Sequence, residues 1–292
     1  MTIKYLVLSG GGPNIISQFG AIKVLNNKIF DINNIKQIYA NSAGTLLAIL
    51  LALKCDIEDI EEYLIKKPWG KYFCNNINDI LQLNNYKGII NHDFVSDILK
   101  SFFKSKDIDI NITLKQFYDL TNIEVYFYTT KINDYSLVEL SHKSEPDLKI
   151  IDASIMSSSL PPVFGPIKYK DSFYIDGGLY NNYPVNSCLQ KTECEHEEVL
   201  GIRVKGKDSF IYSSEKIESD NIINYFGKLL ADLVSKNMTD NNQTNIKYNI
   251  VINAIYDTGD EELWKKFSEN EEFRKELMIL GETTAQEFIE RI

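Results

Sequence analysis

Residues Ile35 to Leu53 read IKQIYANSAGTLLAILLAL. The first five, Ile35 to Tyr39, form a short apolar run of strand type. The next five (Ala40, Asn41, Ser42, Ala43 and Gly44) are all small, and from Thr45 onward the sequence is an unbroken apolar helix. The same succession occurs upstream. Ile3 to Leu8 (IKYLVL) is a β-branched and apolar run that stops at Ser9-Gly10-Gly11-Gly12-Pro13, and Ile15 to Leu25 then takes helical spacing. Two consecutive strand–turn–helix units predict an α/β fold with a mostly parallel central sheet flanked by helices.

The rest of the chain extends this pattern. Helical segments dominate from Asp56 to Leu120, where Thr113 and Gln116 have the spacing of a capping box. Strands are predicted at Ile123–Thr130, Ser136–Leu140 and Ser172–Ile175, with a helix from about Pro146 to Ser158. Val199–Val204 is taken as the last sheet member. Beyond Lys205 the pattern changes to a charged amphipathic helix (Ile217–Met238), one strand (Tyr248–Ala254) and an acidic helical end. No Pro/Ser/Gly-rich linker intervenes, so residues 206–292 are expected to pack as a helical extension on a catalytic core of residues 1–205.

Composition narrows the function. The chain has 292 residues and a net charge of −10 from 31 Lys+Arg and 41 Asp+Glu, which lacks the electrostatic footprint of a nucleic-acid binder. Its four cysteines, Cys55, Cys74, Cys188 and Cys194, have neither zinc-site spacing nor the number needed for a disulfide framework. That fits a reducing, cytoplasmic setting. The N-terminus enters a strand directly, with no secretory signal. The longest apolar run, Thr45 to Leu53, is about half of the ~20 residues that a membrane-spanning helix needs, so it reads as a buried core helix.

Three strand ends carry the chemistry. Ser42 stands on a strand-to-helix turn between small neighbours, as in a nucleophile elbow; Ala40 and Gly44 satisfy the demand that residues two before and two after the serine not crowd each other. The other reading of this turn is a serine capping a buried helix. Gly10-Gly11-Gly12 offers consecutive backbone N–H groups suited to a developing oxyanion. It lacks the Gly-Lys-Ser/Thr of a Walker loop, and a dinucleotide fingerprint fails at Ile15. Asp176-Gly177-Gly178 follows Tyr174-Ile175, which places a carboxylate at a third strand end, although Asp-Gly-Gly alone is also an ordinary turn.

Taken with Gly20-Ala21, Ala153-Ser154, the run Leu160-Pro161-Pro162-Val163-Phe164-Gly165-Pro166 and Asn182-Tyr183-Pro184-Val185, these motifs resemble those of the patatin-like phospholipases, in family order from Ile3 to about Val204. The resemblance implies an α/β-hydrolase-related three-layer sandwich and a phospholipase A-type acyl hydrolase that needs no metal or cofactor. It further implies Ser42 as nucleophile, Asp176 as its base, the Gly10, Gly11 and Gly12 amides as the oxyanion hole, and Ala40, Asn41, Ala43, Gly44, Gly177 and Gly178 as supporting turn residues. The partner is then a phospholipid or other acyl-ester lipid, met in peripheral association with a membrane. Because a carboxylate is a weaker base than imidazole, the turn amides must supply much of the rate, one donor being worth ~3 kcal/mol.

The chain departs from the family where arginine and glycine are usual, at Asn14 and Ile15, and at Ala40, where the serine turn usually begins with glycine. Pro13 removes one N–H donor. Two other readings stand beside the dyad. One is a catalytically silent lipid-binding or scaffold protein of the same fold. The other is a conventional Ser-His-Asp esterase, for which His196 keeps the order of an α/β-hydrolase better than His92 or His142. The aromatics Trp69, Tyr72, Phe73, Phe94, Phe102 and Phe103 are candidates for an acyl channel or for the core.

Overall fold

The apolar runs form one eight-stranded sheet: β1 (Tyr5–Leu8), β2 (Gln37–Asn41), β3 (Glu124–Lys131), β4 (Ser136–Leu140), β5 (Ile167–Tyr169), β6 (Ser172–Asp176), β7 (Val199–Lys205) and β8 (Tyr248–Asn253). The structure is a computed structural model and describes residues 2–72, 93–192, 196–206, 229, 246–256 and 258–292. Strand order is β5-β6-β3-β2-β1-β7-β8, with β4 paired to β3. The five strands β3-β2-β1-β7-β8 run parallel, while β4, β5 and β6 are joined through antiparallel pairs.

Alternation along the central strands divides the core in two. Leu6, Leu8, Ile38, Ala40 and Phe127 face the larger cluster, whereas Val7, Tyr39, Tyr126 and Tyr128 face a smaller one, where the Tyr39 and Tyr126 rings stack at 4.7 Å. Strands buried on both faces have to be apolar throughout, which is why they read as continuous hydrophobic runs.

The helices are α1 (Ile15–Leu25), α2 (Gly44–Ala52), α3 (Ile57–Lys66), α4 (Asp93–Ser105), α5 (Leu114–Thr121), α6 (Ile150–Ser157), α7 (Gly178–Asn181), α8 (Val185–Thr192), α9 (Glu261–Glu269) and α10 (Glu271–Arg291). All nine residues of α2 are buried, so the apolar run is a core helix. The capping box opens α5: Gln116 N–H donates to Thr113 Oγ1 and Thr113 N–H to Gln116 Oε1.

The structure adds to and refines the sequence reading. The strand expected at Tyr248–Ala254 is β8, and it joins the same sheet by pairing in parallel with β7 from Leu200↔Tyr248 to Lys205↔Asn253. The acidic C-terminal stretch is two helices, divided where the Asn270 side chain caps α10. The helix expected from Pro146 begins only at Ile150, and β5, three residues at the sheet edge, gave no periodic signal. Apart from Leu229, the expected Ile217–Met238 helix lies outside the described residues. So do Phe73, Cys74, His92 and Cys194.

α10 lies across α1 at very short range. A Cβ built on Gly281 would sit 1.8 Å from Ser17 O, and one on Gly20 would sit 2.3 Å from Met278 O. Backbone therefore touches backbone at this crossing, and the C-terminal helix is locked against the helix that carries the glycine turn. Among the described residues no helix is long and apolar enough to cross a membrane.

Candidate active site

Ser42 occupies the single residue between the end of β2 and the N-cap of α2, with φ +50°. A non-glycine residue in this region is strained, so the surroundings must hold it there. They do so through both of its backbone polar groups. Ser42 N–H donates to Ser157 Oγ (2.9 Å) and Asn41 Oδ1 (3.0 Å), while Ser42 O accepts from Thr45 N–H (3.0 Å) and Thr45 Oγ1 (2.7 Å). Because the Thr45 hydroxyl proton is committed to that carbonyl, the 2.6 Å contact with Ser154 is donated by Ser154.

The side chain of Ser42 is not a helix cap. The cap position belongs to Ala43, which makes no side-chain cap bond. Ser42 Oγ instead donates to Asp176 Oδ2 at 2.5 Å.

The small residues of the turn are required for a different reason from the one the motif suggests. A Cβ on Gly44 would meet Ser9 O at 2.6 Å and Leu8 O at 3.1 Å. The neighbouring strand end, rather than the side chain at Ala40, is what crowds it.

Asp176 is the last residue of β6 and is 2% exposed. Its Oδ1 accepts the Gly178 N–H at 2.7 Å, and its own N–H donates to Ser159 O. Burial pushes its carboxyl up to about 7, against the opposing effect of the hydrogen bonds from Ser42 and Gly178. Burial thus raises the proton affinity of this carboxyl well above that of an exposed aspartate.

Two asparagines join the strand ends to one another. Asn41 Oδ1 accepts from Ser42 N–H and Ser157 Oγ, and Asn41 Nδ2 donates to Asn181 O just beyond Asp176. Gly177 leaves room for this link, since a Cβ there would lie 2.4 Å from both Asn41 Oδ1 and Tyr128 O. Asn182 ties in the glycine turn by accepting the Gly10 N–H through its carbonyl (3.2 Å) and its Oδ1 (3.1 Å).

That bond separates Gly10 from its two neighbours. The Gly10 amide belongs to the scaffold, whereas the Gly11 and Gly12 amides donate to no described residue. The turn is anchored from behind by Gln18 Nε2 on Ser9 O (2.9 Å) and by Ser9 Oγ, which accepts the Val204 N–H (3.0 Å).

Ser42 and Gly12 open onto an apolar cavity of about 730 Å³, including its open mouth. Leu46, Leu47 and Leu50 of α2 line it together with Trp69, Phe94 and Phe267. Of the aromatics singled out in the sequence, Trp69 and Phe94 line this space, while Phe102 and Phe103 are buried in the core away from it. Nothing in the sequence marked Ser157, Gln18, Trp264 or Phe267. Asn182 was visible only as part of a motif.

Neither described histidine is near. His196 precedes β7 at the edge where the parallel strands begin, six positions before Ile202, which lies level with Leu8 and Ala40. Three strand residues at ~3.3 Å each and a 3-10 turn at ~2 Å per residue put the separation at roughly 16 Å. His142 stacks on Tyr118 at 4.0 Å. Among the described residues no group of three or more His, Cys, Asp or Glu is placed to hold a metal ion.

A serine elbow at the carboxyl edge of a mainly parallel sheet, with helices on the sheet faces, is the architecture of the α/β-hydrolase-related proteins, and this molecule shares it. Within that class the chain belongs to the patatin-like phospholipase family, whose profile matches residues 6–189. It is 29% identical over 192 residues to a probable lipid hydrolase, 463L, of Invertebrate iridescent virus 6, covering 64% of this chain and 63% of that protein. It is 28% identical over 184 residues to the uncharacterized protein R571 of Acanthamoeba polyphaga mimivirus, covering 63% and 60%. The match thus spans less than two thirds of either viral protein. In structure the chain is similar to VipD from Legionella pneumophila, with a TM-score of 0.61 and 18% identity, over 100% of this chain and 67% of that one. At that identity the likeness shows the fold.

Proposed function

We propose that the chain is a lipid acyl hydrolase of the phospholipase A type, with Ser42 as nucleophile and Asp176 as its general base. The observation that carries this reading is the 2.5 Å bond from Ser42 Oγ to Asp176 Oδ2 at the wall of an apolar cavity. Membership of the patatin-like phospholipase family and the likeness to a viral protein described as a probable lipid hydrolase support the substrate class.

In the first half-reaction Ser42 Oγ bonds to the acyl carbonyl carbon while its proton passes to Asp176 Oδ2. The tetrahedral oxyanion is met by the Gly11 and Gly12 amides. The bond to the leaving oxygen then breaks, and Asp176 returns the proton to that oxygen, which releases the alcohol. Water repeats the sequence on the acyl-enzyme and frees the fatty acid. No step calls for a metal ion. The cavity accepts the acyl chain, each methylene removed from water contributing ~0.8 kcal/mol.

The test is release of fatty acid from phospholipid vesicles and of p-nitrophenol from acyl esters, by the wild type beside Ser42→Ala. The wild type is expected to turn over at least one of these and to label with a fluorophosphonate, with both activities absent in Ser42→Ala. Wild-type protein that does neither favours a silent lipid-binding protein of the same fold.

A further inference from the structure

The glycine turn is backed by a part of the chain that lies outside the matched region of residues 6–189. Gly12 has φ +52°, a conformation that side-chain-bearing residues seldom adopt. A Cβ on Gly12 would lie 2.8 Å from the Thr258 methyl and 3.2 Å from Cζ2 of the Trp264 indole. Trp264 is fixed in its turn, its Nε1–H donating to Thr258 O at 2.7 Å. Asn14, which stands where the family usually has arginine, is buried, and its Nδ2 donates to Tyr256 O at 3.3 Å. Three contacts therefore run from Tyr256 and Thr258, which follow β8, and from Trp264 of α9 to Gly12 and Asn14, on either side of Pro13.

We propose that Trp264, seated on Thr258, is a positioning residue for the oxyanion turn: its ring holds Gly12 in the left-handed conformation and so fixes the Gly11 and Gly12 amides beside Ser42. The inference rests on the acyl-hydrolase reading for its catalytic consequence, but the positioning itself does not. Trp264 also lines the cavity with Gly12 and Ser42, so removing its ring relaxes the turn from the substrate side. The Asn14–Tyr256 bond ties the turn exit to the same part of the chain.

The experiment compares wild type, Trp264→Ala and Trp264→Phe in two measurements. Hydrogen exchange of the peptide covering residues 9–14 reads the turn directly and does not depend on any activity. Trp264→Ala is expected to exchange there at least about tenfold faster than wild type at unchanged global stability per molecule, and Trp264→Phe to restore most of the protection. The second measurement is the fluorophosphonate reaction. Its extent counts folded sites, and its rate reports the oxyanion amides. Trp264→Ala is expected to label to the same extent but about 100-fold more slowly, with kcat on a soluble ester falling by the same factor, and Trp264→Phe recovering both. Unchanged exchange in the turn overturns the proposal. So does a kcat loss that vanishes once rates are divided by the labelled fraction, because that is the mark of a purely structural residue. A wild type without hydrolysis defeats the acyl-hydrolase reading instead, and the exchange measurement still decides the positioning.

Discussion

Ser42 and Asp176, 134 positions apart in the chain, share a 2.5 Å hydrogen bond, and Asp176 is held on its other oxygen by the Gly178 amide at 2.7 Å. One carboxylate oxygen is thus fixed by the scaffold and the other is left to the serine. In the proposed mechanism this division of labour lets a single carboxyl act as both orienting group and base, the two roles that a triad divides between aspartate and histidine.

The pH dependence follows from burial. As the proposed base, Asp176 accepts the serine proton only when ionised, and its carboxyl is pushed up to about 7. kcat/KM on a soluble ester should therefore climb about tenfold per pH unit below pH ~7 and level off above it, since this quantity reports the free enzyme. A profile already flat from about pH 5 upward would sink the assignment of Asp176 as a strongly perturbed base.

The same shift acts on stability, with a definite sign. Between the ordinary value of 3.8 and about 7, folded Asp176 holds a proton that the unfolded chain has released, so its contribution is fully present below the lower value and is lost as pH rises through the upper one. Asp176→Asn removes the buried charge, keeps the bond from Gly178 on Oδ1 and reverses the other, Nδ2 donating to Ser42 Oγ. At pH 8 it is expected to be inactive yet more stable than wild type, by up to about 4 kcal/mol. Thermal melts at pH 8 and pH 4 check this, the gain being confined to the higher pH.

His196 lies at the wrong edge of the sheet for a triad. His196→Ala should keep ester hydrolysis within about twofold of wild type, as expected of an exposed residue far from the chemistry. Loss of turnover in this variant, with Asp176→Asn still active, selects the conventional esterase.

The crossing of α1 and α10 offers a test of packing alone. Gly281→Ala places a methyl 1.8 Å from Ser17 O, and backbone rather than a flexible side chain has to yield. A loss of about 3 kcal/mol is expected, seen as a lower urea midpoint with an unchanged slope. A neutral substitution would mean that α10 is free to shift on α1.

Much of the fold was legible because its signals are local. The strand runs Ile3–Leu8, Ile35–Tyr39 and Ile123–Thr130 are apolar on both faces, the breaks between elements are marked by glycine and proline, and the Thr113–Gln116 capping box is complete within four residues. β5 and the late start of α6 were not legible, since three residues carry no period and Pro146 reads equally well as the start of a helix or of a turn. Ser42, Asp176 and the glycine run stood out by motif. The partners that hold them did not, because Ser157, Gln18 and Trp264 are ordinary residues on ordinary helices, and only their positions relative to another strand end give them a role.

The amino-acid order alone thus determined which segments become strands and helices, that two βα turns carry a serine and a run of glycines, and that an aspartate closes a later strand. Folding decided the rest: that Ser42 bonds Asp176, that Asp176 holds its proton up to about 7, that Gly10 gives its amide to Asn182, and that Trp264 covers Gly12. The division has a physical cause. Periodicity and turn chemistry are properties of neighbours along the chain, whereas desolvation and hydrogen-bond pairing are set by whichever atoms arrive from elsewhere to exclude water.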